Sequence, residues 1–178
     1  CYLSFLPAAY YRGGTSKGVF FNDIDLPPEP KLEQALLSIL GSPDPYRRQL
    51  NGMGGGLSSV SKAVFVDHAS DPSIDLIYTF AQISVDKAAV EYEGNCGNLT
   101  SAVVPFGLHT NLIRSSDGRH TFHLLNTNTQ KHIAVTLDVL EGQFNPNGLT
   151  EIAGVSGSGS KIELQFLDPG GAVTHALL

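Results

Sequence analysis

The sequence predicts an α+β domain in which short strands surround one buried helix. Gly 19 and Pro 10 among 178 residues, together with many Val, Ile and Thr, divide the chain into short strand-like runs separated by turns. Residues 97–108 are compatible with helix and nearly free of charge, and a helix that is apolar all round belongs in a core. A hydrophobic content of 42% against 16% charged supplies enough apolar material for one domain without metals or crosslinks.

The elements follow in order. Residues 2–11 read as a strand, 12–18 as a glycine-rich turn carrying basic and hydroxyl groups, and 19–21 as a second strand. A proline-rich connection over 25–30 leads into an amphipathic helix in which Leu32, Leu36, Leu37 and Leu40 keep the three-to-four spacing and Gly41 ends the run. Gly52 to Gly56 form a second glycine-rich loop before the strand 61–66, and 74–85 and 88–92 read as further strands. Beyond the apolar helix, residues 119–125, 132–139 and 162–166 alternate as antiparallel strands do, with turns at 126–128 and 154–160. The sequence contains neither an internal repeat nor a low-complexity tail.

Charge and cysteine usage narrow the partners. A formal charge of -6 and a pI near 5.4, with no basic run, disfavour nucleic acid or an anionic membrane as partner. Two cysteines, Cys1 and Cys96, give no disulfide framework and lack the paired spacing of a zinc site, which fits a reducing cytoplasm. The apolar opening over residues 1–7 lacks a basic leader region and is too short to span a membrane. Because Met53 is the single methionine, the sequence also leads one to expect residues lost or removed ahead of Cys1.

Candidate chemistry sits in three loops. Cys96 stands where the turn Gly94-Asn95-Cys96-Gly97-Asn98 enters the apolar helix, and the unpaired N–H groups and dipole of a helix start favour a thiolate. The alternative is an inert, buried cysteine, as most free cysteines are, although Asn95, Asn98 and the flanking glycines are unusual company for one. Lys62 shares a strand face with Val64 and Val66, so desolvation would favour its neutral amine and make it a base. Snorkelling to water is the commoner fate of a strand-end lysine, and spacing alone favours it. Arg12, Ser16, Lys17 and the glycines between them offer a set of donors suited to carboxylates, or an ordinary solvated turn. The phosphate-loop and dinucleotide glycine patterns are absent. His120 and His123 fall on opposite strand faces, the other histidines are isolated, and no metal site is expected.

The segments Arg12 to Gly18, Gly52 to Gly55 running on to Ser61-Lys62, and Gly94 to Asn98, in this order, resemble the PrpF family of 2-methylaconitate cis-trans isomerases. The resemblance extends over Gln82 to Lys87 and over Phe166 to Thr174. It implies a diaminopimelate-epimerase-like domain, a mostly antiparallel β-barrel wrapped around a central apolar helix. Residues 1–178 would be the N-terminal domain of two, with a second homologous domain, absent from this chain, completing the site; a homo-oligomer is compatible with the resemblance.

What the resemblance implies chemically is isomerisation of small unsaturated di- or tricarboxylates such as aconitate or 2-methylaconitate, without metal or organic cofactor. Lys62 and Cys96 are the residues carried over as catalytic, one removing a proton to give a delocalised dienolate that is reprotonated after rotation or at the far carbon. Substrate contacts are expected from Arg12, Gly13, Gly14, Ser16, Lys17, Gly54, Gly55, Ser58, Asn95, Gly97 and Asn98, several of them as oxyanion donors. Tyr11, Asn51 and Thr174-His175-Ala176 depart from the family pattern, which bears on the substrate rather than on the two acid–base residues. A noncatalytic carboxylate-binding or accessory module is the competing reading. Epimerisation on the same scaffold is a third, and it ordinarily uses paired cysteines where this chain has one near a motif.

Overall fold

The computed structural model describes residues 5–167, so the expectations for Cys1 and for residues 168–178 lie outside the described residues. Strand β1 (Ala9–Gly13) pairs antiparallel with β2 (Ser16–Asn22), with Gly13 opposite Ser16 and Arg12 opposite Lys17. Only Gly14 and Thr15 turn the chain, and Gly14, at φ +52, supplies the left-handed step that such a tight hairpin needs at its first central position. The turn expected over 12–18 is thus mostly paired strand. Of the strand expected over 2–11, residues 2–4 lie outside the described residues, and from residue 5 on the pairing begins at Ala9, after Pro7, which has no N–H to give a ladder.

Helix α1 (Lys31–Leu40) forms where its leucine spacing places it, and Gly41, at φ +78, closes it by donating its N–H to the Leu37 and Ser38 carbonyls. Leu36 and Leu40 pack with Val19, Phe21, Ala63 and Phe65. The crossover through α1 brings β3 (Lys62–His68) parallel to β2. β4 (Leu76–Ile83) returns antiparallel to β3, and β5 (Val90–Glu91) pairs briefly with β4. After helices α2 (Gly97–Thr100) and α3 (Val103–His109), β6 (Gly118–Asn126) lies parallel to β4. β7 (Lys131–Leu140) pairs with β6 on one side and with β8 (Gln143–Phe144) and β11 (Glu163–Phe166) on the other faces of its ladder. β9 (Thr150–Glu151) and β10 (Ser158–Gly159) make a separate small ribbon.

The main sheet runs β1-β2-β3-β4-β6-β7-β11 and curls into a half-barrel. Its two faces bury different partners: α1 covers one, while α2 and α3 contribute Leu99, Val103, Val104, Phe106 and Leu108 to the other, against Phe20, Val64, Tyr78, Leu124 and Val135. The architecture is therefore α+β with mostly antiparallel pairing. A barrel closed around a single helix is not formed among the described residues, because β1 and β11 remain end strands and the helix expected over 97–108 is two pieces. Pro105 accounts for the break: it has no N–H for the Ser101 carbonyl, its ring crowds that carbonyl, and it is tolerated only in the first turn of α3. Among the described residues no helix is long and apolar enough to cross a membrane.

Candidate active site

Lys62 opens β3 on the same face as Val64 and Val66, both of which enter the α2–α3 core. Its residue is 8% exposed, so it does not snorkel to water. Register places Gln82 of β4 directly opposite, and the Lys62 Nζ donates to Gln82 Oε1 at 2.6 Å while lying 5.0 Å from the centroid of the Phe80 ring. Burial pushes the Lys62 pKa below the ordinary lysine value, and the neighbouring Cys96 sulfur pulls it partly back.

Cys96 caps α2 and is half-buried, its Sγ 3.7 Å from the Oγ of the buried Ser16. α2 is one turn long, so the field at its start comes from a few local N–H groups rather than from a full macrodipole. A polar network fixes the cysteine from behind. The Thr100 N–H and Oγ1 both donate to the Cys96 carbonyl at 3.0 Å, and Thr100 Oγ1 lies 2.9 Å from Tyr78 Oη. Tyr78 Oη in turn donates to Asn95 Oδ1 at 3.1 Å, which also accepts from Asn126 Nδ2 at 3.4 Å. Burial pushes the Tyr78 hydroxyl up to about 12, with the Cys96 charge adding to the shift, so the phenol stays a neutral donor.

The other expected site residues divide by where the sheet sends them. Ser16 reaches the Cys96 sulfur directly, whereas the Asn95 side chain is taken up by Tyr78, Thr100 and Asn126. Gly13 and Gly14 pack the hairpin onto α2: a Cβ on Gly13 would fall 2.2 Å from the Asn98 carbonyl oxygen, and one on Gly14 would fall 2.2 Å from Asn98 Oδ1. Asn98 Nδ2 donates to Thr15 Oγ1 at 3.2 Å, and its carbonyl accepts from Ser101 Oγ at 2.7 Å. Gly97, exposed beside Cys96, leaves room for the Phe166 ring, 3.7 Å from where its Cβ would stand.

Arg12 and Lys17 are opposite one another in the hairpin, and strand alternation turns both away from Ser16. Arg12 Nη1 donates to the Gly14 carbonyl at 2.9 Å, and Lys17 Nζ lies 6.0 Å from the Tyr10 ring centroid. The structure does not bring these cations to Cys96. Nor does the second glycine loop present free donors, since Gly54 N–H is held by the Leu40 carbonyl at 3.1 Å and Gly55 N–H by the Val60 carbonyl at 3.2 Å. Ser58 joins the site through its carbonyl, an acceptor for Gln82 Nε2 at 3.1 Å.

Gln82, Phe80, Tyr78, Thr100 and Asn126 complete a constellation that motif reading did not single out. One signal was available: Leu76, Tyr78, Phe80 and Gln82 alternate along β4, so a glutamine ends an otherwise core-facing row. Among the histidines, His109 Nδ1 is 2.8 Å from Tyr11 Oη, and His120 stacks near Phe122 on the face opposite exposed His123. Among the described residues no group of three or more His, Cys, Asp or Glu is placed to hold a metal ion. Two grooves, of about 370 Å³ beside Pro43 and Tyr46 and about 320 Å³ beside Phe21 and Met53, include neither Lys62 nor Cys96 in their lining.

With this geometry in view, the chain matches the family model described as PrpF protein over residues 4–178. This chain belongs to the PrpF family. The 2-methyl-aconitate isomerase of Shewanella oneidensis is 40% identical over 171 residues, covering 91% of this chain and 43% of that protein. The 3-methylitaconate isomerase of Eubacterium barkeri is 35% identical over 174 residues, covering 97% of this chain and 45% of that protein. A crystal structure of a methylitaconate-delta-isomerase superposes with a TM-score of 0.90 at 34% identity, over 97% of this PrpF-family chain and 44% of that one. The chain thus spans less than half the length of the relatives it matches.

Proposed function

We propose that this chain is the N-terminal domain of a two-domain isomerase acting on a small unsaturated di- or tricarboxylate, aconitate-like or methylaconitate-like, without a cofactor. The reading is supported by the burial of Lys62 at the polar end of an apolar sheet face, against which Cys96 also packs, near enough for the two to interact electrostatically. A lysine with a depressed pKa holds more free amine near neutrality than an exposed one, and a thiol beside it supplies a second group able to exchange a proton.

In the proposed step the substrate C–H bond between a carboxylate and a double bond breaks, and its proton passes to one of the two heads. The electron pair spreads into a dienolate, and the other head returns a proton after rotation or at the far carbon. Ser16 and the backbone N–H groups of Gly97 and Asn98 lie beside Cys96 and would hold the developing oxyanion, with Asn95 bracing the loop from behind. Arg12 and Lys17 face elsewhere, so the counter-charge for the substrate carboxylates falls to the second domain. A half-buried free thiol suits a reducing cytoplasm.

Proton NMR of cis-aconitate, 2-methylaconitate and methylitaconate in deuterium oxide with the full-length protein tests this. Deuterium uptake or conversion should fall by at least about 10²-fold in both Lys62→Ala and Cys96→Ser, the range of a lost acid–base group. Turnover persisting in both variants would end the acid–base assignment. Binding of the carboxylate without any deuterium uptake by the unmutated protein would point instead to an accessory module.

A further inference from the structure

We propose that Gln82 is a positioning residue, which pins one N–H of the Lys62 head so that the remaining direction of the nitrogen, lone pair or proton, is held fixed for the substrate. The inference rests on the acid–base reading of Lys62 and adds to it the group that would aim the amine. Lys62 and Gln82 are directly opposed in the β3–β4 ladder, and the 2.6 Å contact between Nζ and Oε1 is the hydrogen bond given by the lysine head.

The orientation of the Gln82 amide is over-determined. Its Nε2 donates to the Ser61 carbonyl at 2.9 Å and to the Ser58 carbonyl at 3.1 Å, both of which can only accept. A flipped amide would set its oxygen against two carbonyl oxygens and its NH₂ against the lysine donors. Oε1 must therefore face Lys62, and it can accept an N–H from the ammonium, more strongly, and from the neutral amine. Below the head lies the Phe80 ring, which offers no site for a transferred proton. The nitrogen is bounded by its own Cε, by Gln82 and by Phe80, which leaves its remaining side for exchange.

The proton balance is simple. The substrate C–H bond breaks, a new N–H bond forms on Nζ in place of the lone pair, and the N–H held by Gln82 is retained throughout. Freely rotating amines present the lone pair in many directions, and restricting them removes an orientational cost from the transition state. Of the titratable groups facing Lys62, Cys96 comes from the segment before α2; β2 presents Ser16 and Gly18, and β4 presents Gln82 and Phe80, none of which titrates.

The test titrates full-length protein carrying ¹³C at lysine Cε, with the Lys62 signal assigned by its loss in Lys62→Met. In Gln82→Glu a carboxylate replaces the amide oxygen, and the Lys62 midpoint should rise by at least about one pH unit. The limb of the deuterium-uptake profile that follows Lys62 should rise with it. In Gln82→Met the pin is gone, and kcat should fall by at least about tenfold with KM changed by less than about threefold, as loss of orientation rather than of binding requires. A Lys62 midpoint unmoved in Gln82→Glu, or an unaltered kcat in Gln82→Met, overturns the proposal.

Both variants lose the bonds to Ser58 and Ser61, so a measurement on the unmutated protein decides if neither folds. There, the Lys62 Nζ protons should show cross-relaxation to the Gln82 side chain, and its absence counts against the pin. The two ideas fail differently. Deuterium uptake surviving Lys62→Ala while Gln82→Glu still moves the Lys62 midpoint would sink the acid–base role alone.

Discussion

Tyr78 shows how a single buried hydroxyl connects the core to the candidate site. The residue is 2% exposed, yet its oxygen is satisfied by Asn95 and Thr100, which themselves hold the backbone on either side of Cys96. Its ring serves the apolar cluster and its tip serves the loop. Tyr78→Phe keeps the ring but leaves Asn95 and Thr100 short of a partner, so stability should fall by roughly 1–3 kcal/mol, the penalty for buried polar groups left unmade. Urea denaturation measures that loss. Deuterium uptake in the same variant should fall through kcat rather than KM, because the Cys96 segment loosens while the substrate contacts remain. An unchanged kcat would mean that Tyr78 only stabilises.

At the scale of elements, the β1–β2 hairpin and α2 fit together through glycine. Gly14 needs its left-handed φ and also lies under Asn98, whereas Gly142, at φ +73, has nothing within 4 Å of a would-be Cβ. Gly142→Ala should therefore cost only the backbone strain, about 1–2 kcal/mol, and Gly14→Ala should cost that plus the displacement of Asn98. Chemical denaturation of the two variants separates the terms, and equal losses would show that the hairpin does not lean on α2.

The same elements show what could be read from sequence. α1 was legible because leucine spacing and Gly41 act within one helix, and Lys62 because strand alternation is local. The exact span of the hairpin was not, since Arg12, Gly13, Ser16 and Lys17 look like turn residues until the register pairs them. The helix break was written in Pro105 but outweighed by the apolar run around it. Gln82 meets Lys62 only through the pairing of two strands, and no local pattern announces such a partner. The small strands β8, β9 and β10, two residues each, carry too little alternation to be seen at all.

For the whole molecule, the curled sheet gathers several tyrosines whose burial makes alkaline stability a test of the fold. Burial pushes Tyr78 and Tyr92 up to about 12, Tyr92 with help from the Glu29 charge, and it raises Tyr10 and Tyr11 in the same direction. Each folded-state value lies above the ordinary tyrosine value near 10, so in that window the unfolded chain has lost phenolic protons that the folded chain retains. Stability then falls as pH rises: the contribution is fully present below about 10 and is lost through about 12. Lys62, with its depressed pKa, works the other way, adding stability as pH climbs toward the ordinary lysine value of about 10.4, and it offers nothing further beyond that point. Tyrosines therefore dominate the slope above it. For Tyr78 a shift of this size corresponds to something on the order of 2–3 kcal/mol. Urea midpoints measured every half unit from pH 9 to 12, alongside the tyrosinate absorbance, should fall steeply above about 10. In Tyr78→Phe they should start lower and fall less steeply, and parallel slopes for the two proteins would mean that this phenol does not govern the alkaline limit.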